Sequence, residues 1–141
     1  MRVFVDTNVL AAGLSSHGLC ASLLDRLLVP PHALVVSPQV LAELPVALQR
    51  CRVPAPLVAH HVAAVRARAE VVADASTSWP VRDPEDVTIL GAAEAAKVEA
   101  LVTGDHDLLD VAVGAPIRIL APRALWDALN DHERSASGTS L

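Results

Sequence analysis

Apolar and polar positions follow two rhythms along this chain. Short apolar runs at residues 3–5, 33–36 and 100–103 read as strands buried on both faces, and residues 71–73 and 117–120 read as two more. Leu19, Leu23, Leu24, Leu27 and Leu28 recur at helical spacing within residues 18–29. Val40, Leu41, Leu44, Ala47 and Leu48 do the same up to about residue 50, after a Ser37–Pro38 pair that supplies an N-cap and a first-turn proline. Further helices are predicted over about 55–70, over 83–97 from the Asp83–Pro84 start, and over 121–130, with a helical turn at 107–111. Strands alternating with helices predict an α/β fold, a mostly parallel sheet with helices on both faces.

The chain of 141 residues suits one domain, set at 1–133, and the small polar residues 134–141 read as a flexible tail. No apolar run approaches the ~18–20 residues of a membrane span. The longest candidate, residues 27–36, is broken by Pro30, Pro31 and His32. The start MRVFVDTN lacks a signal-peptide layout, so a cytoplasmic protein without membrane contact is expected. Cys20 and Cys51 stand alone and read as small buried apolar residues. His60 and His61 are adjacent, point in different directions on a helix and do not form a zinc pair.

The acids at element boundaries change the picture. Asp6 directly follows the first strand, and Asp105 follows the strand at 100–103. In an open parallel sheet the carboxyl ends of the strands line one edge, where sites form. Asp86 falls in the first turn of its helix, and Glu43 at the margin of the apolar arc of its own. Each has a plainer explanation. Asp6 suits an Asx turn with Thr7 and Asn8, Asp83 and Asp86 resemble a capping box, and Asp105 or Asp107 suits a helix cap.

Four carboxylates at one edge nevertheless constrain the chemistry. Two unit charges ~4 Å apart at an effective dielectric of ~20 repel by about 4 kcal/mol. Such a cluster takes up protons or binds a cation. Oxygen donors without Cys or His select Mg²⁺ or Mn²⁺ over Zn²⁺. Phosphodiester hydrolysis is the reaction this arrangement serves best.

The chain resembles the PIN-domain ribonucleases, and among them the VapC-like toxins of prokaryotic toxin–antitoxin systems. The resemblance runs through VFVDTNVL (3–10), SPQVLAEL (37–44), RDPEDVTIL (82–90) and LVTGDHDLL (101–109). It implies a PIN-like, Rossmann-like sheet and an acidic quartet at Asp6, Glu43, Asp86 and Asp105, with Asp107 as a fifth metal-facing acid. It also implies that Asn8 and Thr103 orient the acids. The activity it implies is Mg²⁺- or Mn²⁺-dependent endoribonuclease, in the toxin of a type II pair, with RNA as substrate, a cognate antitoxin and a homodimer. The chain departs from the pattern at Val87 and Thr88, where relatives are more polar, and at Gly91, where an acid is common.

Charge runs against nucleic-acid binding, with 16 acidic and 11 basic residues and a net charge of −5. The candidate RNA contacts are Arg50, Arg52, Arg66 and Arg68, which serve equally as a solvated helix face. Phe4, Trp79 and Trp126 are the whole aromatic complement, too few for a base-stacking platform, so an RNA grip would act on phosphates. Two other readings compete. A phosphate-ester hydrolase with an Asp6 nucleophile would want a second Asp where Asn8 stands. A non-catalytic PIN-like module would bind protein without turnover.

Overall fold

The computed structural model describes residues 1–138. Strands β1 (Arg2–Val5), β2 (Ala33–Val36), β3 (Glu70–Val71), β4 (Ala100–Val102) and β5 (Arg118–Leu120) form one parallel sheet in the order β3-β2-β1-β4-β5. Helices α1 (Thr7–Ser15) and α2 (Leu19–Leu27) join β1 to β2, and α3 (Pro38–Arg50) and α4 (Ala55–Arg68) join β2 to β3. Helix α5 (Pro84–Ala95) precedes β4, α6 (His106–Asp110) precedes β5, and α7 (Pro122–Gly138) follows it. Adjacent side chains on a strand face opposite ways. Val3, Phe4 and Val5 are all fully buried, so both faces of the sheet are covered, as the unbroken apolar runs predict.

The strand order places the site. From β1 the chain steps outward through β2 to β3, then crosses back to β4 on the opposite side of β1. Connections therefore diverge between β1 and β4, and a crevice opens at their carboxyl ends. The Asp6 N–H donates to Val102 O at 3.0 Å, so the exit of β1 is tied to the end of β4.

Several local outcomes differ from the pattern. Residues 7–15, given no element by the sequence reading, form α1, because Asp6 stays extended (φ −66°, ψ 151°) and caps a helix instead of closing a turn. Strand β3 starts at Glu70, one residue earlier than predicted, and α4 stops at Arg68. Helix α7 runs past residue 130 to Gly138, so residues 134–138 are helical, whereas the sequence reading put them in a tail; residues 139–141 lie outside the described residues. Buried Leu125 and Leu129 anchor α7, and Glu133 pairs with Arg26 at 2.8 Å, which carries the helix beyond its apolar stripe. Cys51 is exposed at the end of α3 and Cys20 only half-buried, against the expectation of two core thiols.

Gly91 marks a close approach of α5 to residues 75–77. A Cβ there would overlap the Ala75 carbonyl oxygen and lie 2.5 Å from the Ser76 carbonyl carbon. Thr77 N–H donates to Val87 O (3.2 Å) and Thr77 Oγ1 to Glu94 Oε2 (2.7 Å), pinning the segment to the helix. An acidic side chain at 91 has no room, which explains that departure from the family pattern. Gly91→Ala gains helix propensity yet is expected to lower stability by about 1–3 kcal/mol through this overlap, read as a lower denaturation midpoint. An unchanged midpoint would show that the segment moves aside freely.

Candidate active site

The carboxyl ends of β1 and β4 open into a cleft of about 430 Å³, lined by Asp6, Glu43, Asp86 and Asp105 together with Asn8 and Arg50. Asp83 and Glu85, at the start of α5, line it too. The whole predicted quartet therefore shares one cavity, although its members lie up to a hundred residues apart in the chain.

Asp6 is buried, with both oxygens engaged. Oδ1 accepts from Thr7 N–H (2.7 Å) and Oδ2 from Thr103 Oγ1 (2.7 Å). Burial raises the Asp6 pKa, with hydrogen bonds from Thr103 and Thr7 opposing, and the charges of Glu43 and Asp105 raising it further. Thr103 also accepts from Asp105 N–H (3.0 Å), so one hydroxyl is bonded to two of the acidic residues. Glu43, half-buried on α3, accepts from Thr7 Oγ1 (2.9 Å) and from Gln39 Nε2 (2.8 Å). Asp105 caps α6 by accepting from Asp107 N–H (2.9 Å), and Asp83 caps α5 through Glu85 N–H (2.9 Å). The plainer capping roles are thus real, and they coexist with the cleft.

Asp86 is the strained member. It is 5% exposed, and its Oδ2 is buried without a hydrogen-bond partner among the described residues. Burial first, then the charges of Asp105, Asp83, Asp6 and Asp107, push its pKa up to about 7. Asp107 therefore acts on the site electrostatically but does not line the cleft. Asn8 is exposed at the rim with no side-chain hydrogen bond to the acids it was expected to orient. Of the arginines, Arg50 lines the cleft, Arg66 and Arg68 line two separate cavities along α4, and Arg52 is exposed just past α3. They do not form one patch.

Among the described residues no three carboxylates converge closely enough to grip an ion as they stand. Neutral hydrogen-bond donors hold each of Asp6, Glu43 and Asp105 in its own place, which accounts for the spacing. The donor set nevertheless fits a hard divalent cation. It offers only oxygens, and the orphaned Asp86 Oδ2 lacks the positive partner that a buried carboxylate needs. Sequence reasoning missed Thr7, Gln39 and Thr88 as members of the site. The i,i+4 spacing of Gln39 to Glu43 on one helix was the available signal.

A protein-family model of the PIN domain matches residues 2–107, the span from β1 into α6 that holds all these acids. Among solved structures the chain is similar to a chain of VapBC2 from Rickettsia felis, crystallised bound to a DNA fragment from their promoter. The two share 15% identity with a TM-score of 0.64, over 86% of this chain and 98% of that one, a likeness of fold. No curated protein matches the chain.

The Asp86 environment sets a pH dependence. A carboxyl whose pKa is raised on folding favours the folded state while protonated, and that stability is lost as pH climbs from about 4 through about 7. Asp86→Asn mimics the protonated form. In metal-free buffer the variant is expected to match wild type most nearly in stability below about pH 4 and to exceed it by a margin that grows to about 4 kcal/mol at pH 8. Equal stability at pH 8 would mean that Asp86 carries no buried charge.

Proposed function

Because the chain belongs to the PIN-domain family, we propose that it is a Mg²⁺- or Mn²⁺-dependent endoribonuclease, the toxin of a type II toxin–antitoxin pair. The observation that carries this reading is the unpartnered, buried Asp86 Oδ2 in a cleft shared with Asp6, Glu43 and Asp105. Asp6, Asp86 and Asp105 would hold the cation, and Glu43 would complete the set or orient the attacking water. The bound cation supplies charge opposite the phosphate and makes a nearby water more acidic. Thr103 keeps Asp6 and Asp105 aligned at the ends of adjacent strands. Arg50, at the mouth of an otherwise acidic cleft, is the residue we assign to an RNA phosphate. Arg52, Arg66 and Arg68 would meet more distant parts of the strand.

The fold shared with a chain of VapBC2 supports a toxin role with a cognate antitoxin as protein partner, and a second copy of the chain would be its other partner. The hydrogen bonds that keep the carboxylates apart favour a second reading, a PIN-like module that binds protein without turnover. Metal dependence separates the two.

Cleavage of RNA is expected with Mg²⁺ or Mn²⁺, to stop in EDTA, and to fall at least roughly a hundred-fold in Asp6→Asn. Cleavage that survives either change would overturn the mechanism. Arg50→Ala is expected to raise KM several-fold, to flatten its salt dependence and to leave kcat nearly unchanged. A fall in kcat at constant KM would instead place Arg50 among the reacting groups.

A further inference from the structure

Glu43 is held on both sides by uncharged donors, and one of them reaches across to the helix that carries Asp86. Gln39 lies one turn before Glu43 on α3 and is half-buried. Its Nε2 donates to Glu43 Oε1 at 2.8 Å and lies 3.3 Å from the Glu85 carbonyl oxygen. Its Oε1 accepts from the Thr88 hydroxyl on α5. The orientation of the amide follows from chemistry. A carboxylate and a backbone carbonyl only accept, so the NH₂ group must face them and the oxygen must face the hydroxyl. The Gln39 N–H is itself spent on Asp74 Oδ1 (3.1 Å), which fixes the first turn of α3.

We propose that Gln39 is a positioning residue for Glu43 and that, with Thr88, it sets the distance between α3 and α5 and hence between Glu43 and Asp86. The proposal rests on the nuclease reading for its consequence in catalysis, and on the hydrogen bonds alone for its structural content. A neutral amide suits the task. A Lys at 39 would neutralise Glu43, and a Glu would place a second negative charge within 3 Å of it; the amide restrains the carboxylate and leaves its charge available for a cation. Thr88 also acquires a function here. The hydroxyl at this departure from the family pattern is one of two groups on α5, with the Glu85 carbonyl, that bond the Gln39 side chain of α3.

The test uses Gln39→Leu, which keeps the size and removes the side-chain bonds of Gln39 to Glu43, to the Glu85 carbonyl and to Thr88. It also uses Thr88→Val, which removes the Thr88 hydroxyl's bonds to Gln39 and to the Glu85 carbonyl of its own helix and leaves the Gln39–Glu43 bond in place. In Gln39→Leu we expect Mn²⁺ affinity by calorimetry and kcat each to fall about ten-fold, with KM little changed. Thr88→Val should show a smaller loss of the same kind, and the double variant should be no worse than Gln39→Leu, because the two side chains act in series. Gln39→Glu should fare worse than Gln39→Leu in Mn²⁺-free stability at pH 8. A folded Gln39→Leu with wild-type Mn²⁺ affinity and kcat would overturn the proposal. A second readout needs no metal. In the NMR spectrum of the metal-free protein, the Gln39 side-chain amide resonances should move on Glu43→Gln and on Thr88→Val. Should wild type bind no Mn²⁺ and cleave no RNA, the nuclease reading fails, and the amide resonances alone decide the positioning role: movement supports it and indifference overturns it.

Discussion

The hydrogen bond from Thr103 to the buried Asp6 carboxylate is the contact on which the rest of this site depends. It joins the ends of two adjacent parallel strands whose onward connections diverge, beside the Asp6 N–H to Val102 O bond that ties the same ends through the backbone. Asp6 contributes three times over. Its N–H extends the ladder to β4, its Oδ1 starts α1, and its Oδ2 receives Thr103. Thr103 then aligns Asp105 through its N–H. One acid and one hydroxyl thus fix where α1 and α6 begin and where two of the four carboxylates sit.

Electrostatics works against this arrangement. Six acids line one cleft, two of them, Asp6 and Asp86, are buried, and Asp86 keeps an oxygen with no partner among the described residues. In such surroundings the charged form of Asp86 is disfavoured, first by lost hydration and then by its acidic neighbours. The protein tolerates the strain because the hydrophobic sheet beneath, with Val3, Phe4, Val5, Leu101 and Val102 almost wholly buried, stabilises the fold independently of the cleft. A site that is destabilising when bare would gain from the cation proposed for it, since the binding free energy would then include relief of repulsion.

The acids are kept from collapsing together by uncharged groups. Thr7, Gln39, Thr103 and the first-turn amides of α1, α5 and α6 hold carboxylates by hydrogen bonds and leave net charge in place. Capping and site formation are therefore the same interactions seen from two sides. Asp6, Asp83 and Asp105 begin helices because an extended residue with a short acceptor does so, and the same geometry aims their surroundings at the cleft. The positive end of each helix dipole further favours negative charge there.

Much of this was legible in the chain itself. The apolar runs at β1, β2 and β4, too continuous for a one-sided sheet, determined burial on both faces and hence a parallel layered fold. Ser37–Pro38 and Asp83–Pro84 determined where α3 and α5 start, because cap and proline act within one turn. The position of Asp6 and Asp105 just after strands marked the edge where a site would form. What local pattern left open, tertiary structure decided. Whether Asp6 closes a turn or starts α1 depends on the strand end that Val102 and Thr103 hold against it. Arg50 lines the cleft while Arg66 and Arg68 line cavities elsewhere, because α3 and α4 point those side chains in different directions. Gln39 meets Thr88, 49 positions away in the chain, only because their two helices pack side by side. Propensities and caps act over a few residues, whereas the separation between two carboxylates is set by how whole elements pack.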